Sequence, residues 1–237
     1  MKFFDSHCHL QAPAFATDKD QVIEKAAQNN VSGLCIPAIT QKDWEGLLHL
    51  KPVTSIRQFI AIGLHPCFWR DHDDNAIHAL NEQLEQNRHQ IAAIGETGLD
   101  FYDKNRTDDA RDTQQYWFHQ QVLLAKQYEL PLIIHARKSH DAILKVLRNI
   151  KPDAGGVIHA FSGSEQQARQ YIDLGFKLGF GGGITYPRAR KTRHLAATLP
   201  LECIVLETDA PDMPLFGYQG QRNTPCLLYT SPSPRDS

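Results

Sequence analysis

Long apolar runs and regularly spaced cysteines are both missing from this sequence of 237 residues. No apolar stretch approaches the roughly 18 residues of a membrane span, and the first residues, MKFFDSHCH, hold no apolar segment of secretory length. The five cysteines form neither a CxxC pair nor a regular disulfide framework, which is typical of a reducing compartment. We therefore expect a cytoplasmic protein without membrane association, and nothing implies an obligate protein partner.

The chain also has little excess charge of either sign. There are 25 Lys and Arg residues and 27 Asp and Glu residues, so the formal net charge is -2. A protein that holds duplex DNA along a row of phosphates usually has a strongly basic surface. An extended surface of that kind is not expected here, although a local phosphate pocket is compatible with this charge.

What the chain does have is a regular alternation of apolar runs with segments of helical period. Repeated strand and helix units of this kind are typical of a parallel sheet covered by helices. Eight strands are predicted, near residues 3–9, 33–39, 59–64, 91–96, 131–135, 155–159, 176–181 and 203–209. Seven helices are predicted between them, near residues 18–30, 41–50, 74–89, 109–128, 138–149, 164–174 and 188–198. The pattern predicts one α/β domain over residues 1–225, a TIM-type (β/α)8 barrel.

An eighth helix is absent from this pattern. After Asp209 the sequence reads PDMPLFGYQGQRNTPCLLYTSPSPRDS, and its last part contains Pro225, Pro232 and Pro234. Proline is not tolerated in a helix interior. We therefore expect a barrel that lacks its last helix, with residues 226–237 as a non-native or disordered tail. Low stability and poor support for Asp209 would follow.

Residues able to bind metal stand at the ends of predicted strands. The carboxyl ends of barrel strands meet at one face, so we expect these side chains to converge. An inward histidine is more often a hydrogen-bonded core residue, so the HxH pair alone would establish little. The full set predicts a site for two divalent cations, bridged by the carboxylate of Glu96. The predicted ligands are His7, His9 and Asp209 for one cation, His135 and His159 for the other, and Glu96 for both.

Further side chains are predicted to support these ligands or to bind substrate. Asp5 and Glu207 lie one step deeper on the same strand faces and are expected to orient ligand histidines. His65 either binds substrate or supports the ligands. Arg137 and Arg222 are candidates for clamping a phosphate, although arginines are also common on surfaces. The other histidines have no matching partners and are expected to be solvated: His49, His72, His78, His89, His119, His140 and His194.

Seven motifs, in this order and spacing, resemble the TatD family of metal-dependent deoxyribonucleases: FDSHCHL, GLHP, GETGLDF, IIHAR, IHAFSGS, LETDAP and RNTP. The resemblance covers about residues 1–225, and Ala160 stands where the family often has cysteine. It implies that the six strand-end residues are the metal ligands. It also implies hydrolysis of phosphodiester bonds from an end of DNA or in single-stranded DNA, with 3'-5' exonuclease activity as the expected form.

The expected mechanism is attack by a water held between two cations, with Glu96 as the bridge and Asp209 as the proton acceptor. Four imidazoles favour zinc, manganese, cobalt or nickel, whereas the family resemblance implies that magnesium can also serve. The same kind of centre activates water for attack on a carbonyl. A binuclear-metal amidase, deacylase or lactonase is therefore the alternative, although Glu96 stands where many such enzymes have a carbamylated lysine.

Overall fold

The structure is a computed structural model that describes residues 2–53, 55–102 and 107–230. Its parallel strands pair in sequence order, so the predicted TIM-type (β/α)8 architecture is confirmed. The strands are β1 (Phe3–Asp5), β2 (Val31–Pro37), β3 (Arg57–Ile62), β4 (Ile91–Asp100), β5 (Leu132–Arg137), β6 (Gly156–Ile158), β7 (Phe176–Phe180) and β8 (Ile204–Leu206). The α-helices are α1 (Lys19–Gln28), α2 (Gln41–Leu48), α3 (Ala76–Asn87), α4 (Asp108–Gln127), α5 (His140–Ile150), α6 (Glu165–Asp173) and α7 (Arg190–Thr198).

Helix α5 illustrates how the outer layer is held to the sheet. Ile143, Leu144 and Leu147 recur at helical spacing and are buried, while Lys145 between them is exposed. Full burial of each such aliphatic side chain is worth about 1.5–3 kcal/mol, so packing of one face rather than intrinsic propensity fixes the helix. In the three described ranges, none of the helices has the length and apolar character needed to cross a lipid bilayer.

The barrel closes between β8 and β1 by irregular pairing. Both strands were predicted to be longer, but β1 ends at Asp5 and β8 at Leu206. Beyond them, Ser6 N donates to Leu206 O at 3.0 Å and Asp209 N donates to His7 O at 2.9 Å. The chain therefore leaves the regular ladder where its side chains turn into the mouth of the barrel, yet it keeps the two ends joined.

The end of the fold lies further along the chain than the sequence predicts. A 3₁₀ helix, Pro225–Thr230, packs against α1, β1 and β2, and it places Cys226 and Leu228 in the core at 6% and 1% exposure. A disordered tail beginning at residue 226 is therefore wrong as far as residue 230. Proline is compatible with the first turn of a helix, and the apolar residues after it cover surface beside α1. Within the described ranges no α-helix follows β8, and residues 231–237 lie outside them.

The loop after β8 is held by one buried amide. Asn223 Nδ2 donates to the carbonyl oxygens of Thr208 at 2.7 Å, Asp212 at 2.9 Å and Met213 at 3.2 Å. These bonds, together with the backbone bond from Asp209 to His7, fix the segment that carries Asp209. The expectation that Asp209 would be poorly supported is therefore wrong, because the support comes from side-chain hydrogen bonds rather than from a covering helix.

Candidate metal centre

The six predicted ligands lie together at the carboxyl ends of the strands. His9, Glu96, His135, His159 and Asp209 line a cavity of about 620 Å³ there, and His7 is fully buried beside them. Residues from both halves of the chain become neighbours because parallel strands place their carboxyl ends at one face of the barrel. The convergence predicted from the sequence is thus found in the structure.

Glu96 lies at the middle of the group. Its Oε2 is 3.1 Å from His7 Nε2 and 3.4 Å from His9 Nε2, and its Oε1 is 3.0 Å from His135 Nδ1. Burial raises the pKa of Glu96, but the nearby imidazoles outweigh this and hold the pKa well below its usual range. Glu96 is therefore an ionised carboxylate, with Oε2 towards His7 and His9 and Oε1 towards His135.

The close approach of β4 to β5 beside Glu96 depends on Gly98. Its φ is +135°, a conformation that favours glycine, and a Cβ there would overlap the carbonyl of His135. The GETG segment thus lets β4 continue past Glu96 to Asp100 while it stays paired with β5.

Three of the imidazoles have a partner on the ring nitrogen that points away from the centre. His9 Nδ1 is 3.2 Å from Pro37 O, His135 Nε2 is 3.1 Å from Asp100 Oδ2, and His159 Nδ1 is 3.1 Å from Glu207 Oε1. The His159 contact is an ion-pair distance without hydrogen-bond geometry. For His9 and His135, a carbonyl or carboxylate in that position takes the N–H and leaves the lone pair of the other nitrogen facing inward. This is the usual arrangement of histidines that bind metal.

His65 has the opposite orientation. Its Nδ1 accepts from Cys67 N at 3.0 Å, so in a neutral ring Nε2 carries the proton and donates to Glu96 Oε1 at 3.1 Å. Burial lowers the pKa of His65, which favours that neutral ring. Of the two roles considered for His65, the geometry favours support of the bridging carboxylate.

Asp209 contacts three of the four imidazoles. Its Oδ1 is 3.6 Å from both His7 Nε2 and His9 Nε2, and its Oδ2 is 3.7 Å from His159 Nε2. Burial raises the pKa of Asp209 to about 6, against the influence of His159. A buried carboxyl whose pKa lies near neutrality is suited to accepting a proton at physiological pH.

The donor set fits divalent cations. Four imidazoles and two carboxylates, mostly buried, face one another, and burial of such groups is costly unless they bind a cation or each other. The pKa of His159, lowered by burial but raised more by Glu207 and Asp209, reaches about 10, so the surrounding carboxylates favour positive charge there. Among the described residues, atoms close enough to share an ion form the groups His7, His9 and Glu96; His7, His159 and Asp209; Glu96, His135 and His159; and His65, Cys67 and His135.

These groups differ from the predicted division in two respects, the first of which is that His65 and Cys67, which were not predicted as ligands, form a group with His135. Asp209 was expected beside His7 and His9, but the structure also brings it to His159, which was assigned to the other cation. His7 and His159 are stacked with ring centroids 3.7 Å apart. The sequence does not determine this contact because β1 and β6 are not neighbours in the sheet.

Asp5 supports the centre in a way that differs from the prediction. Its carboxylate does not accept from a histidine ring but from His7 N at 3.3 Å, Thr208 N at 2.9 Å and Thr208 Oγ1 at 2.6 Å. The reason is geometric: the irregular ends of β1 and β8 bring the N–H groups of His7 and Thr208 to the Asp5 carboxylate, and buried N–H groups need an acceptor. Asp5 therefore ties the ends of β1 and β8 together and positions the backbone that carries His7 and Asp209.

Glu207 lies where the sequence predicts it. Its Oε1 accepts from Ala160 N at 2.6 Å and contacts His159 Nδ1, and it is 1% exposed. Gly179 on the adjacent strand makes room for it, since a Cβ there would overlap the Glu207 carboxylate.

The two candidate phosphate-binding arginines have different positions. Arg137 is exposed, lines the central cavity and stacks on Tyr102, with its Cζ 3.7 Å from the ring centroid. Arg222 instead makes two hydrogen bonds to Asp18, at 2.9 and 2.6 Å, and lies over the ring of Phe15. The prediction for Arg222 is therefore corrected: its guanidinium joins the loop after β8 to the start of α1 and does not line the cavity.

Asp100 was missed by the sequence analysis. Its carboxylate holds His135 Nε2 and also accepts from Cys67 Sγ at 3.2 Å. Burial raises the pKa of Asp100, but these hydrogen bonds outweigh burial and lower it. The signal was present in GETGLD, where Asp100 follows Glu96 at an even spacing of four and so shares its strand face.

Two of the histidines expected to be solvated are buried. His72 is 9% exposed, and its Nε2 lies 3.2 Å from the backbone oxygen of His65. His140 is 8% exposed at the start of α5. The expectation was therefore wrong for both. Each ring packs inward against an aromatic side chain, Trp117 for His72 and Phe161 for His140. The tertiary fold brings these rings together.

Comparison with known proteins agrees with these features. A family model described as "TatD related DNase" matches residues 4–231. An uncharacterized metal-dependent hydrolase of Escherichia coli K12, YjjV, is 42% identical over 229 residues, which cover 94% of this chain and 85% of that protein. A Pantoea protein named "3'-5' ssDNA/RNA exonuclease TatD" is 32% identical, with 95% of this chain and 87% of that protein covered.

Solved structures show the same similarity in three dimensions. The crystal structure of the Escherichia coli YjjV protein matches with a TM-score of 0.88 at 40% identity, over 96% of this chain and 86% of that one. A TatD-family hydrolase from Entamoeba histolytica matches with a TM-score of 0.85 at 21% identity, over 100% and 91% of the two chains, and supports the fold alone.

Proposed function

Since the chain belongs to the TatD family of metal-dependent hydrolases, we propose that it is a deoxyribonuclease that hydrolyses phosphodiester bonds at an end of single-stranded DNA, in the 3'-5' direction. The observation that carries the proposal is that the carboxylates of Glu96 and Asp209 both contact the imidazoles of His7 and His9 and each contacts one further histidine, in the lining of an open cavity. Two divalent cations held there would supply charge to stabilise the transition state and lower the pKa of a water.

The protein's own residues supply the rest of the reaction. Asp209 accepts the proton that the attacking water loses, through Oδ1 or Oδ2, and burial of its carboxyl raises its pKa. Glu96 stays ionised and accepts a hydrogen bond from His65 Nε2. Arg137 at the cavity wall offers a guanidinium to a phosphate oxygen of the substrate.

The name of the Pantoea relative supports exonuclease activity, since that protein is named a 3'-5' ssDNA/RNA exonuclease. The two more similar relatives, from Escherichia coli and Haemophilus influenzae, are named only as metal-dependent hydrolases. A DNA end or single-stranded DNA is therefore part of the proposal rather than of the family assignment.

The deciding experiment compares substrate classes. Purified protein loaded in turn with Mg²⁺, Mn²⁺, Zn²⁺, Co²⁺ or Ni²⁺ is assayed on single-stranded oligonucleotides labelled at either end, on bis(p-nitrophenyl) phosphate and on aminoacyl esters. We expect shortening from the 3' end and hydrolysis of the small diester. Hydrolysis of the carbonyl substrate alone would instead identify a binuclear-metal amidase, deacylase or lactonase.

A further inference from the structure

A second groove, of about 740 Å³, lies beside the metal centre and shares Arg137 and Ser162 with the central cavity. The first turns of α5 and α6 form part of its wall, and Lys138 and Lys191 line it as well. Its volume lies within the range of ligand pockets, about 300–1,000 Å³. The groove is therefore a continuous extension of the site in which the reaction is proposed to take place.

The charge of the groove is positive although the charge of the whole chain is -2. Among the described residues, Arg137, Lys138 and Lys191 line it, and Asp141 is the one acidic residue in the lining. The Asp141 carboxylate already accepts from Gln167 Nε2 at 2.8 Å. A local excess of cations in a protein of opposite net charge favours an anionic ligand.

The start of α5 adds backbone donors to this charge. Ser139, at the N-cap, uses its hydroxyl to donate to Leu99 O at 2.6 Å and makes no capping hydrogen bond to the helix. Within the part of the chain that the structure describes, the first-turn N–H groups of this helix of 11 residues thus have no capping side chain as an acceptor. Such N–H groups and the helix dipole bind anions, phosphate in particular.

An independent observation comes from His140, which lines the groove and is 8% exposed. Its Nδ1 is 3.2 Å from Tyr171 Oη, whereas its Nε2 has no hydrogen-bond partner among the described residues. Buried polar atoms rarely stay without a partner, because each costs free energy. The lining of the groove thus contains a buried histidine that has one ring nitrogen without a partner among the described residues.

The wall towards the metal centre offers a stacking surface. The side chain of Tyr102 is 54% exposed, and the guanidinium of Arg137 lies over its ring. Nucleobases stack on aromatic rings and on guanidinium planes without strong sequence preference. Because Arg137 lines both cavities, a base stacked there would belong to a nucleotide next to the reacting phosphate.

We propose that this groove binds the nucleotide adjacent to the scissile phosphodiester, with its phosphate at Lys138, Lys191 and the first turn of α5, and its base against Arg137 and Tyr102. The proposal rests on the proposed function, since it takes the metal centre to act on a polynucleotide. It predicts that single-stranded chains are preferred to simple phosphodiesters because part of the binding lies outside the metal centre.

A pair of double variants tests the proposal. In the first, Lys138→Gln and Lys191→Gln remove two charges from the groove. In the control, Lys145→Gln and Lys151→Gln remove two exposed charges from the middle and far end of α5. The two pairs are matched, since Lys138 and Lys151 both have positive φ, 59° and 53°.

The metal-loaded proteins are compared on hexathymidylate and on bis(p-nitrophenyl) phosphate. We expect the groove variant to lose about tenfold in kcat/KM on hexathymidylate, through KM, and to change by less than about twofold on the small diester. Affinity for a cleavage-resistant phosphorothioate hexathymidylate should fall similarly. Its log-log salt slope should decrease by about 0.7, the value for one lost phosphate contact to a single strand.

The outcomes separate the subsite from the proposed function. If the wild type hydrolyses no phosphodiester, the proposed function fails, but binding of the phosphorothioate oligonucleotide still decides the subsite. Selective loss of that binding in the groove variant supports the subsite. Equal affinity in the groove and control variants overturns it, as does a groove variant that loses the same factor on the small diester, or a wild type that binds free phosphate but no oligonucleotide.

Discussion

Glu96 is shared by the imidazoles of His7, His9, His65 and His135. Its amide analogue has nearly the same shape but no charge. We therefore expect Glu96→Gln to weaken metal binding by more than about 10²-fold, because even residues that only support metal ligands are worth about 10–100-fold. Metal content per chain after dialysis measures this effect.

The control for that substitution is Glu165→Gln, which alters an exposed ion pair with Arg169 at the start of α6. It should retain the metal of the wild type. Full retention by Glu96→Gln would mean that the carboxylate does not bind the cations.

Substitution of Asp209 is expected to affect turnover more than metal binding, because five other candidate ligands remain. Asp209→Asn should keep much of the metal but lower turnover by about 10²–10⁴, the usual effect of removing a positioned acid or base. Turnover and metal content are measured together, with the exposed Asp173→Asn as a control expected to stay within about twofold. A variant with more than about a third of wild-type turnover would rule out Asp209 as the proton acceptor.

His140 allows a prediction about stability and pH. Burial lowers the pKa of His140 to about 4, from 6.5, so between these values the unfolded chain binds more protons than the folded one. Its contribution is therefore present above pH 6.5 and is lost as the pH falls towards 4. From pH 7 to pH 5 we expect the wild type to lose about 2 kcal/mol more than His140→Gln.

This difference is measured by urea unfolding of both proteins after chelation of metal, so that loss of bound cations does not contribute. An equal loss of stability in the two proteins would show that the histidine is already charged in the folded state.

At the scale of elements, the 3₁₀ helix Pro225–Thr230 takes part of the place of the expected eighth helix. Leu228 is 1% exposed and belongs to the main core. We expect Leu228→Ala to lower the free energy of unfolding by about 2–4 kcal/mol, as for other buried leucines. Chemical denaturation measures it, with Leu201→Ala, at 65% exposure, expected to cost less than about 0.5 kcal/mol.

Equal effects of the two substitutions would contradict the packing of this segment against α1. They would instead support the prediction from the sequence that the domain ends at residue 225.

The starts of the helices show what local sequence determines and what it does not. Ser164 precedes α6 and forms a capping box with Gln167, three residues away. Asp18 and Ser139 have side chains of the capping type and precede α1 and α5, but they bond to Arg222 and to Leu99 O, which are 204 and 40 residues away. Partners distant in the chain decided these two cases, and local sequence has no information about them.

At the scale of the whole molecule, the net charge of -2 limits the contact with DNA. With Arg137, Lys138 and Lys191 as the main candidates for phosphate contacts, binding of single-stranded DNA should have a log-log salt slope of about 2–3, rather than the 6–10 of an extended surface. Fluorescence anisotropy with a cleavage-resistant oligonucleotide measures it. A slope of 6 or more, or rapid cutting of closed circular DNA, would contradict a local grip at an end.

By itself the sequence determined the barrel and the composition of its centre. The alternation of apolar runs with helical periods follows from burial of a parallel sheet, and residues at the carboxyl ends of its strands must meet at one face. That rule was enough to bring together six side chains from positions 7 to 209.

Only the tertiary structure decided which atoms face one another. The inward nitrogen of each histidine depends on its outer partner, such as Asp100 for His135, and Arg222 is held by Asp18 rather than by the cavity. Hydrogen bonds and ion pairs act over about 3 Å, so they depend on side-chain positions that strand order does not specify. Chain topology fixes which residues become neighbours, and packing fixes their chemistry.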